Sequence, residues 1–192
     1  MTDKVIVGVD EVGRGCLAGP VVAAAVAMPS VTDYIFRDSK TLNKAARLDN
    51  YKLIKKCAFS IKLGYASPQE IDALNILKAT QLAMKRAIEK VNWRDSLVLV
   101  DGCHLPDAKG YRMKAIIKGD QKFTQISAAS IVAKVVRDYI MTRISRVYPK
   151  YLFDKHKGYP TKEHLSALKR YGVLSIHRKS FRPVRELHLM EI

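Results

Sequence analysis

The sequence predicts an α/β protein with one sizeable core, and three observations indicate this fold class. Short apolar runs rich in β-branched residues recur along the chain, as is typical of buried strands. Longer segments between these runs carry apolar residues at helical spacing. The chain has 192 residues, of which 48% are hydrophobic, so it is long and apolar enough to fold around one core.

Five runs are predicted to be strands, and the first two are expected to pair as a hairpin because one loop joins them. The predicted strands are 4–9, 20–28, 59–66, 97–100 and 113–118. The predicted helices are 43–57, 67–90, 124–146 and 161–170. The clearest helix start is Ser67-Pro68-Gln69-Glu70, where a capping serine precedes a proline in the first turn and a glutamate at the third position.

Acidic residues stand where three of the predicted strands end. Asp10 and Glu11 follow the first strand, Asp101 follows the fourth, and Asp120 lies just after the fifth. Carboxylates brought together repel one another unless cations lie between them, and Mg²⁺ takes oxygen ligands of this kind. Two such ions would support phosphodiester cleavage, whereas no Cys/His group has the spacing of a zinc site. For the first stretch alone, solvated acids at an ordinary strand end are an equally good interpretation.

The formal net charge of +16, from 34 basic and 18 acidic residues, predicts a polyanionic partner. Nucleic acid is favoured over a membrane surface, because no segment clearly has the basic amphipathic pattern that a membrane requires. A generic basic surface also stays open. Between residues 150 and 185, ten Lys or Arg residues and several aromatic residues stand against two acids. His156, His164, His177 and His188 in this part of the chain are expected to face nucleic acid or solvent.

Two further stretches have a functional and a structural interpretation. Asp38-Ser39-Lys40 precedes a predicted helix, and a helix N-terminus beside a hydroxyl and a lysine is a natural phosphate site. From the sequence alone, a plain capping turn is the better interpretation of this stretch. Asp138 lies inside the predicted helix 124–146, where we expect an ion pair on the helix surface and not a metal ligand.

The sequence favours a cytoplasmic protein that does not enter a membrane, and we expect it to be a monomer. No apolar run approaches the roughly 20 residues needed to cross a bilayer. Residues 1–4 lack the basic-then-apolar layout of a secretion signal. The three cysteines, Cys16, Cys57 and Cys103, have no CxxC spacing and fit a reducing compartment better than a disulfide framework.

Six segments, taken together and in order, resemble the ribonuclease HII family. They are 7–15 (VGVDEVGRG), 38–40 (DSK), 100–102 (VDG), 118–120 (KGD), 127–134 (SAASIVAK) and 156–161 (HKGYPT). The resemblance implies an RNase H-like fold, in which helices flank a five-stranded mixed sheet and a small helical appendage lies at the C-terminus. Residues 1–147 would then form the catalytic domain, and residues 148–192 a basic helical segment that packs on it and binds substrate.

The resemblance also implies an activity and a cofactor. The family hydrolyses the RNA strand of RNA–DNA hybrids and cleaves 5′ of ribonucleotides embedded in duplex DNA, leaving 3′-hydroxyl and 5′-phosphate ends. It uses Mg²⁺ or Mn²⁺, with two divalent ions in the reacting complex. Asp10, Glu11, Asp101 and Asp120 match its catalytic, metal-binding carboxylates. The expected partners are RNA–DNA hybrids and DNA duplexes that contain ribonucleotides.

The family resemblance assigns the nucleic-acid contacts to three other places. Gly13-Arg14-Gly15 matches the loop that reads the ribose 2′-hydroxyl, largely through backbone groups, and this hydroxyl is what distinguishes RNA from DNA. Tyr159 matches the tyrosine that packs on the neighbouring deoxyribose. Ser39-Lys40 matches contacts to the phosphates of the nucleic-acid backbone.

One related type, one departure from the family pattern and two alternative functions bear on this interpretation. The related ribonuclease HIII type would carry a lysine in the glycine loop and an extra N-terminal domain, so Arg14 and the few residues before the first strand favour the HII type. Cys103 stands where many members have asparagine.

A pure nucleic-acid-binding module would gain nothing from four converging acids, because they oppose phosphate binding. A DNA nuclease or transposase of the same general fold would not need a ribonucleotide.

Overall fold

A computed structural model describes residues 4–36, 39 and 42–190, the last three of these without their side chains. Its five strands are β1 (Val5–Val12), β2 (Val21–Pro29), β3 (Ser60–Ala66), β4 (Leu97–Asp101) and β5 (Arg112–Ile116). They form one sheet in the order β3-β2-β1-β4-β5. The pairs β1–β2 and β2–β3 are antiparallel, whereas β1–β4 and β4–β5 are parallel, so the mixed five-stranded sheet is confirmed.

Seven α-helices and two short 3₁₀ helices are found in the described residues. The α-helices are α1 (Lys44–Cys57), α2 (Pro68–Leu74), α3 (Ile76–Ile88), α4 (Thr124–Val147), α5 (Phe153–His156), α6 (Lys162–Tyr171) and α7 (Arg182–Met190). The 3₁₀ helices are Gly119–Gln121 and Pro149–Tyr151. No helix among these is long and apolar enough to cross a bilayer.

The sheet is packed between α3 on one face and α1 and α4 on the other. Alternate residues of β1 and β2 face the two layers, so Val7 and Val9 pack with α3 while Val26 and Met28 pack with α4. Gly8 brings β1 against the start of α4, since a Cβ at this position would overlap the Gln125 backbone. This close approach places the first turns of α4 directly beside the strand that carries Asp10.

The register of β1 against β4 sets the positions of the acids. Val9 pairs with Val100 in the parallel ladder, so the next residues, Asp10 and Asp101, leave that ladder at the same level. The sequence placed Asp10 and Glu11 after the strand, but β1 continues to Val12 because β2 still pairs with it there. The two acids therefore stand inside β1, beyond the last residue that pairs with β4.

The single helix predicted over residues 67–90 is wrong, because the structure has two helices there. The capping box of Ser67 and Glu70 begins α2 as expected. Asn75 then adopts a left-handed φ of 69°, and its side-chain oxygen accepts hydrogen bonds from the N–H groups of Leu77 and Lys78. Apolar spacing continues across this break, whereas a capping asparagine ends one helix and begins the next.

The expectation that the C-terminal histidines face nucleic acid or solvent is wrong for three of them. His156, His164 and His177 are buried, while the side chain of His188 lies outside the described residues. The rings of His156 and His164 stack with centroids 4.5 Å apart, and the Nε2 atoms of His164 and His177 are 3.1 Å apart. Phe153 contacts all three rings, so these side chains form the interior of the C-terminal segment.

Hydrogen bonds assign one neutral tautomer to each of His164 and His177 in this histidine cluster. The Nδ1 atom of His177 accepts from the Leu174 N–H at 2.9 Å, so its Nε2–H donates to His164. The Nδ1–H of His164 then donates to the Tyr159 carbonyl at 2.9 Å. Burial lowers the pKa of His164 to about 4 and that of His177 to about 3. The cluster is uncharged at neutral pH and supports the backbone at Tyr159.

We predict that the histidine cluster makes folding sensitive to acid. Because the folded pKa values lie below the ordinary value of 6.5, the unfolded chain binds more protons between about pH 6.5 and 3. The free energy of unfolding should therefore fall as the pH is lowered through this window. Urea denaturation at several pH values measures the slope, which should become shallower in His177→Asn and stay unchanged in His104→Asn, an exposed control. An unchanged slope in His177→Asn would contradict the prediction.

Candidate active site

Three carboxylates interact at the edge of the sheet where β4 ends and β1 stops pairing with it. The Asp10 side chain is buried, and the pKa of Asp10 is raised well above its usual range by burial, then by the negative charges of Glu11 and Asp101. Burial also raises the pKa of Glu11, and repulsion from Asp101 adds to this while Arg14 opposes it. The structure thus brings together three of the four acids that the sequence selected.

The fourth acid, Asp120, is linked to this group through its neighbour in the chain. The Gly119 N–H donates to Oδ1 of Asp101 at 2.7 Å and so ties the end of β4 to the 3₁₀ helix that carries Asp120. Asp120 itself is buried. Within the described ranges, no three His, Cys, Asp or Glu side chains are arranged as a ready metal site. The placement of Asp120 as a fourth ligand therefore stays a prediction.

The chemistry of the donors nevertheless fits a hard divalent cation. All four candidate side chains offer carboxylate oxygens, which Mg²⁺ and Mn²⁺ accept as ligands. The raised pKa values of Asp10 and Glu11 mean that ionising this group is costly in the absence of positive charge. A bound cation would remove that cost, so these residues are suited to hold one.

Ser130 of α4 contacts Asp10 and was not selected from the sequence. Its hydroxyl hydrogen-bonds the Asp10 carboxylate and lies 2.9 Å from the Ser39 hydroxyl, which is buried. In the sequence, Ser130 stood out only as part of the segment 127–134 that resembles the ribonuclease HII family. The Ser39 side chain is thus engaged inside the protein, and a phosphate contact by Ser39 stays a prediction. Lys40 lies outside the described residues.

The loop Gly13-Arg14-Gly15 follows β1 and lies beside the acids. Gly13 has a φ of 96°, and a Cβ there would also collide with the Arg137 side chain, so only glycine fits. Arg14 and Gly15 are exposed. The Arg14 guanidinium lies 3.4 Å from the Glu11 carboxylate, so this ion pair joins an exposed arginine to a largely buried acid.

Two fully buried arginines lie beneath this loop, and the sequence analysis missed both. Arg137 donates to the carbonyls of Pro20, Ala18 and Lys157. Arg178 donates to the carbonyls of Gly13, Arg14 and Gly19. No sequence pattern could have predicted that these arginines are buried. Each stands among other charged residues, a composition that is typical of a basic surface. Their partners are carbonyl oxygens from distant parts of the chain.

Tyr159 is held beside the loop by contacts on several sides. Its ring lies 5.8 Å from Nζ of Lys134 and 5.9 Å from the Arg137 guanidinium carbon. Its hydroxyl hydrogen-bonds the Cys16 thiol, and burial raises the pKa of Tyr159. The ring is only half-buried, so part of it faces outward next to the Gly13–Gly15 loop.

Asp138 has the structural role that the sequence predicted. Its carboxylate lies 2.8 Å from Nζ of Lys134, one turn earlier in α4, in a partly buried ion pair. The neighbouring Arg137 points into the interior instead. The helix-surface ion pair is therefore confirmed, with Lys134 as the partner.

The family model of Ribonuclease HII matches residues 7–184. The Ribonuclease HII of Pelagibacter ubique is 51% identical over 185 residues, which cover 96% of this chain and 99% of the relative. The chain belongs to the ribonuclease HII family. It is accordingly a metal-dependent endoribonuclease, a hydrolase that degrades RNA in RNA–DNA hybrids.

Solved structures match the fold of this ribonuclease HII. A complex of PCNA and RNase HII from Archaeoglobus fulgidus contains a chain that is 26% identical, with a TM-score of 0.78 over 91% of this chain and 93% of that one. Bst-RNase HIII in complex with Mn²⁺ superposes with a TM-score of 0.74 over 98% of this chain and 70% of that one, at 18% identity. Both agree with the sheet and flanking helices described above.

We predict that removing the Asp10 charge stabilises the metal-free protein. The folded pKa of Asp10 lies above its unfolded value, so stability is lost as the pH rises through the folded pKa. At about pH 8, where an aspartate in the unfolded chain is fully ionised, Asp10→Asn should raise the free energy of unfolding by on the order of 1 kcal/mol. Thermal denaturation in EDTA measures this, with the exposed Asp107→Asn as control. A lower melting temperature for Asp10→Asn would contradict the repulsion described here.

Proposed function

We propose that this ribonuclease HII cleaves 5′ of single ribonucleotides embedded in duplex DNA, in addition to RNA in hybrids, and leaves 3′-hydroxyl and 5′-phosphate ends. The observation that carries the proposal is the position of the Gly13–Gly15 loop directly beside the carboxylates of β1 and β4. A loop that recognises ribose, placed next to carboxylates that hold cations, would direct cleavage to a single ribonucleotide.

We infer that Asp10, Glu11, Asp101 and Asp120 hold two divalent ions, Mg²⁺ or Mn²⁺, in the reacting complex. When bound, such ions activate a water and stabilise the leaving oxygen of a phosphodiester. The carboxylates can orient the attacking and leaving groups only if their own positions are fixed. The register of β1 against β4 and the hydrogen bond from Gly119 to Asp101 support fixed positions for Asp10 and Asp101. The Mn²⁺ complex of Bst-RNase HIII, a protein of the same fold, is consistent with this choice of ion.

Contacts to the nucleic acid are assigned to the loop, to Tyr159 and to the basic C-terminal segment. Backbone groups of Gly13, Arg14 and Gly15 would bind the 2′-hydroxyl, and the half-buried Tyr159 ring would pack on the next deoxyribose. Ser39-Lys40 and residues 148–192 would contact phosphates, for which the excess of positive charge provides the attraction. In this assignment residues 1–147 form the catalytic domain.

We propose a monomer in the cytoplasm as the active form. One chain carries all four acids and the glycine loop, so no second copy is needed to complete the site. Cys16, Cys57 and Cys103 are free thiols, which agrees with a reducing compartment.

Cleavage of a duplex with one ribonucleotide tests the proposed activity. The protein should cut it 5′ of the ribonucleotide with Mg²⁺ or Mn²⁺, and EDTA should abolish the reaction. Asp10→Asn should lower the rate by at least about a thousandfold, because a cation ligand is lost, while affinity for the duplex is kept or increased. The exposed Asp107→Asn should retain the full rate. Cleavage of the matched all-DNA duplex would indicate a DNA nuclease instead, and binding without cleavage by the unmodified chain would indicate a binding module.

Tyr159→Ala should weaken the preference for isolated ribonucleotides. The ring is expected to recognise a deoxyribose next to the ribose, so kcat/KM should fall by about tenfold more on the single-ribonucleotide duplex than on a uniform RNA–DNA hybrid. Tyr159→Phe keeps the ring and loses only the hydroxyl that bonds Cys16, and it should resemble the unmodified protein. Equal losses on the two substrates in Tyr159→Ala would argue against this role.

A further inference from the structure

The guanidinium of Arg178 lies beneath the Gly13–Gly15 loop and binds the carbonyls of its first two residues and that of Gly19 further along the chain. Its Nη2 donates to the Gly13 carbonyl at 2.7 Å and its Nη1 to the Arg14 carbonyl at 2.8 Å. Nε and Nη2 donate to the Gly19 carbonyl at 3.1 and 2.9 Å. The side chain is 0% exposed, and the residues that it binds are 159 to 165 positions before it in the chain. One side chain of the C-terminal segment thus fixes the backbone of the N-terminal loop.

These hydrogen bonds decide where the loop's N–H groups point. In a trans peptide the C=O and N–H bonds point in opposite directions. With the carbonyls of Gly13 and Arg14 directed inward to Arg178, the N–H groups of Arg14 and Gly15 are directed outward. Neither N–H has an acceptor in the part of the chain that the structure describes, and both residues are exposed. Two adjacent outward N–H groups form a small donor site for an oxygen atom.

The burial of Arg178 is costly and therefore needs an explanation. Its pKa is lowered to about 10, mainly by burial, so the side chain is still charged at neutral pH. Among the described residues, no carboxylate lies within ion-pair distance of it, and its partners are the three carbonyls and the Phe181 ring, 5.2 Å away. Removing a charge from water without an ionic partner is costly. The Arg178 charge does polarise the peptide groups that it binds and so strengthens their N–H groups as donors.

We propose that Arg178 is a positioning residue that sets ribose discrimination by holding the Arg14 and Gly15 N–H groups in place for a 2′-hydroxyl. The inference rests on the proposed function and deepens it, because it names the side chain on which the geometry of the ribose-reading loop depends. Arg178 itself does not touch the substrate. A merely structural clamp between the C-terminal segment and the core would also use these hydrogen bonds, but it would affect every substrate alike.

The test compares the affinity of the full chain for two duplexes that differ in a single 2′-hydroxyl. All proteins carry Asp10→Asn and are assayed with Mg²⁺, so that neither duplex is cut. With Arg178 intact, the ribonucleotide duplex should bind more tightly than the all-DNA duplex. Arg178→Met should reduce this preference by about tenfold, as expected for loss of a hydrogen bond to the hydroxyl, while affinity for the all-DNA duplex changes by less than about twofold.

Two further variants separate positioning from folding. Arg178→Lys keeps the charge and some donors and should restore part of the preference. Val184→Ala removes buried contacts of the same C-terminal segment without touching the loop's hydrogen bonds. It should lower the melting temperature and leave the preference unchanged.

The inference is overturned if Arg178→Met keeps the full preference or weakens both duplexes equally. Should Arg178→Met not fold, Arg178→Lys decides, since an intermediate preference supports positioning and an unchanged preference overturns it. Failure of the proposed function gives a different result, because the protein with Arg178 intact would then show no preference for the ribonucleotide duplex. Cleavage assays without Asp10→Asn would show the same failure.

Discussion

Repulsion among carboxylates at one sheet edge is the constraint on which the rest of the structure depends. The β1–β4 register brings Asp10 and Asp101 to the same level, and Glu11 is next to them on β1. Burial and mutual repulsion raise the pKa of Asp10, so the folded chain holds an arrangement that positive charge would relieve. A bound cation would relieve this repulsion, so the arrangement favours cation binding.

The C-terminal segment keeps the Gly13–Gly15 loop and Tyr159 beside these acids. Arg178 binds the Gly13–Gly15 loop from below, and Arg137 fills the space next to Gly13. The neutral histidine cluster supports the backbone of Tyr159 through His164. Buried polar groups with fully satisfied hydrogen bonds define one geometry, so loop, tyrosine and acids are fixed relative to one another. The basic segment thus contributes a rigid interior as well as positive charge.

Much of the fold and of the candidate site could be predicted because it follows from local patterns. Apolar runs predicted the strands, and the position of Asp101 directly after Val100 predicted one of the carboxylates of the candidate site. The break at Asn75 could not be predicted, since apolar spacing continues through it while one side chain caps the next helix. The burial of His177 and Arg178 depends on partners far away in sequence, and the local composition there indicates a surface. The Asp120 geometry also depends on tertiary contacts.

Anomalous diffraction from crystals soaked in Mn²⁺ tests the central claim most directly. We expect manganese between the carboxylates of Asp10, Glu11 and Asp101, with Asp120 completing the ligand set, and no manganese there in Asp10→Asn. Manganese bound elsewhere, or an edge of the sheet that stays empty of metal while Asp10 and Asp101 remain side by side, would contradict the account.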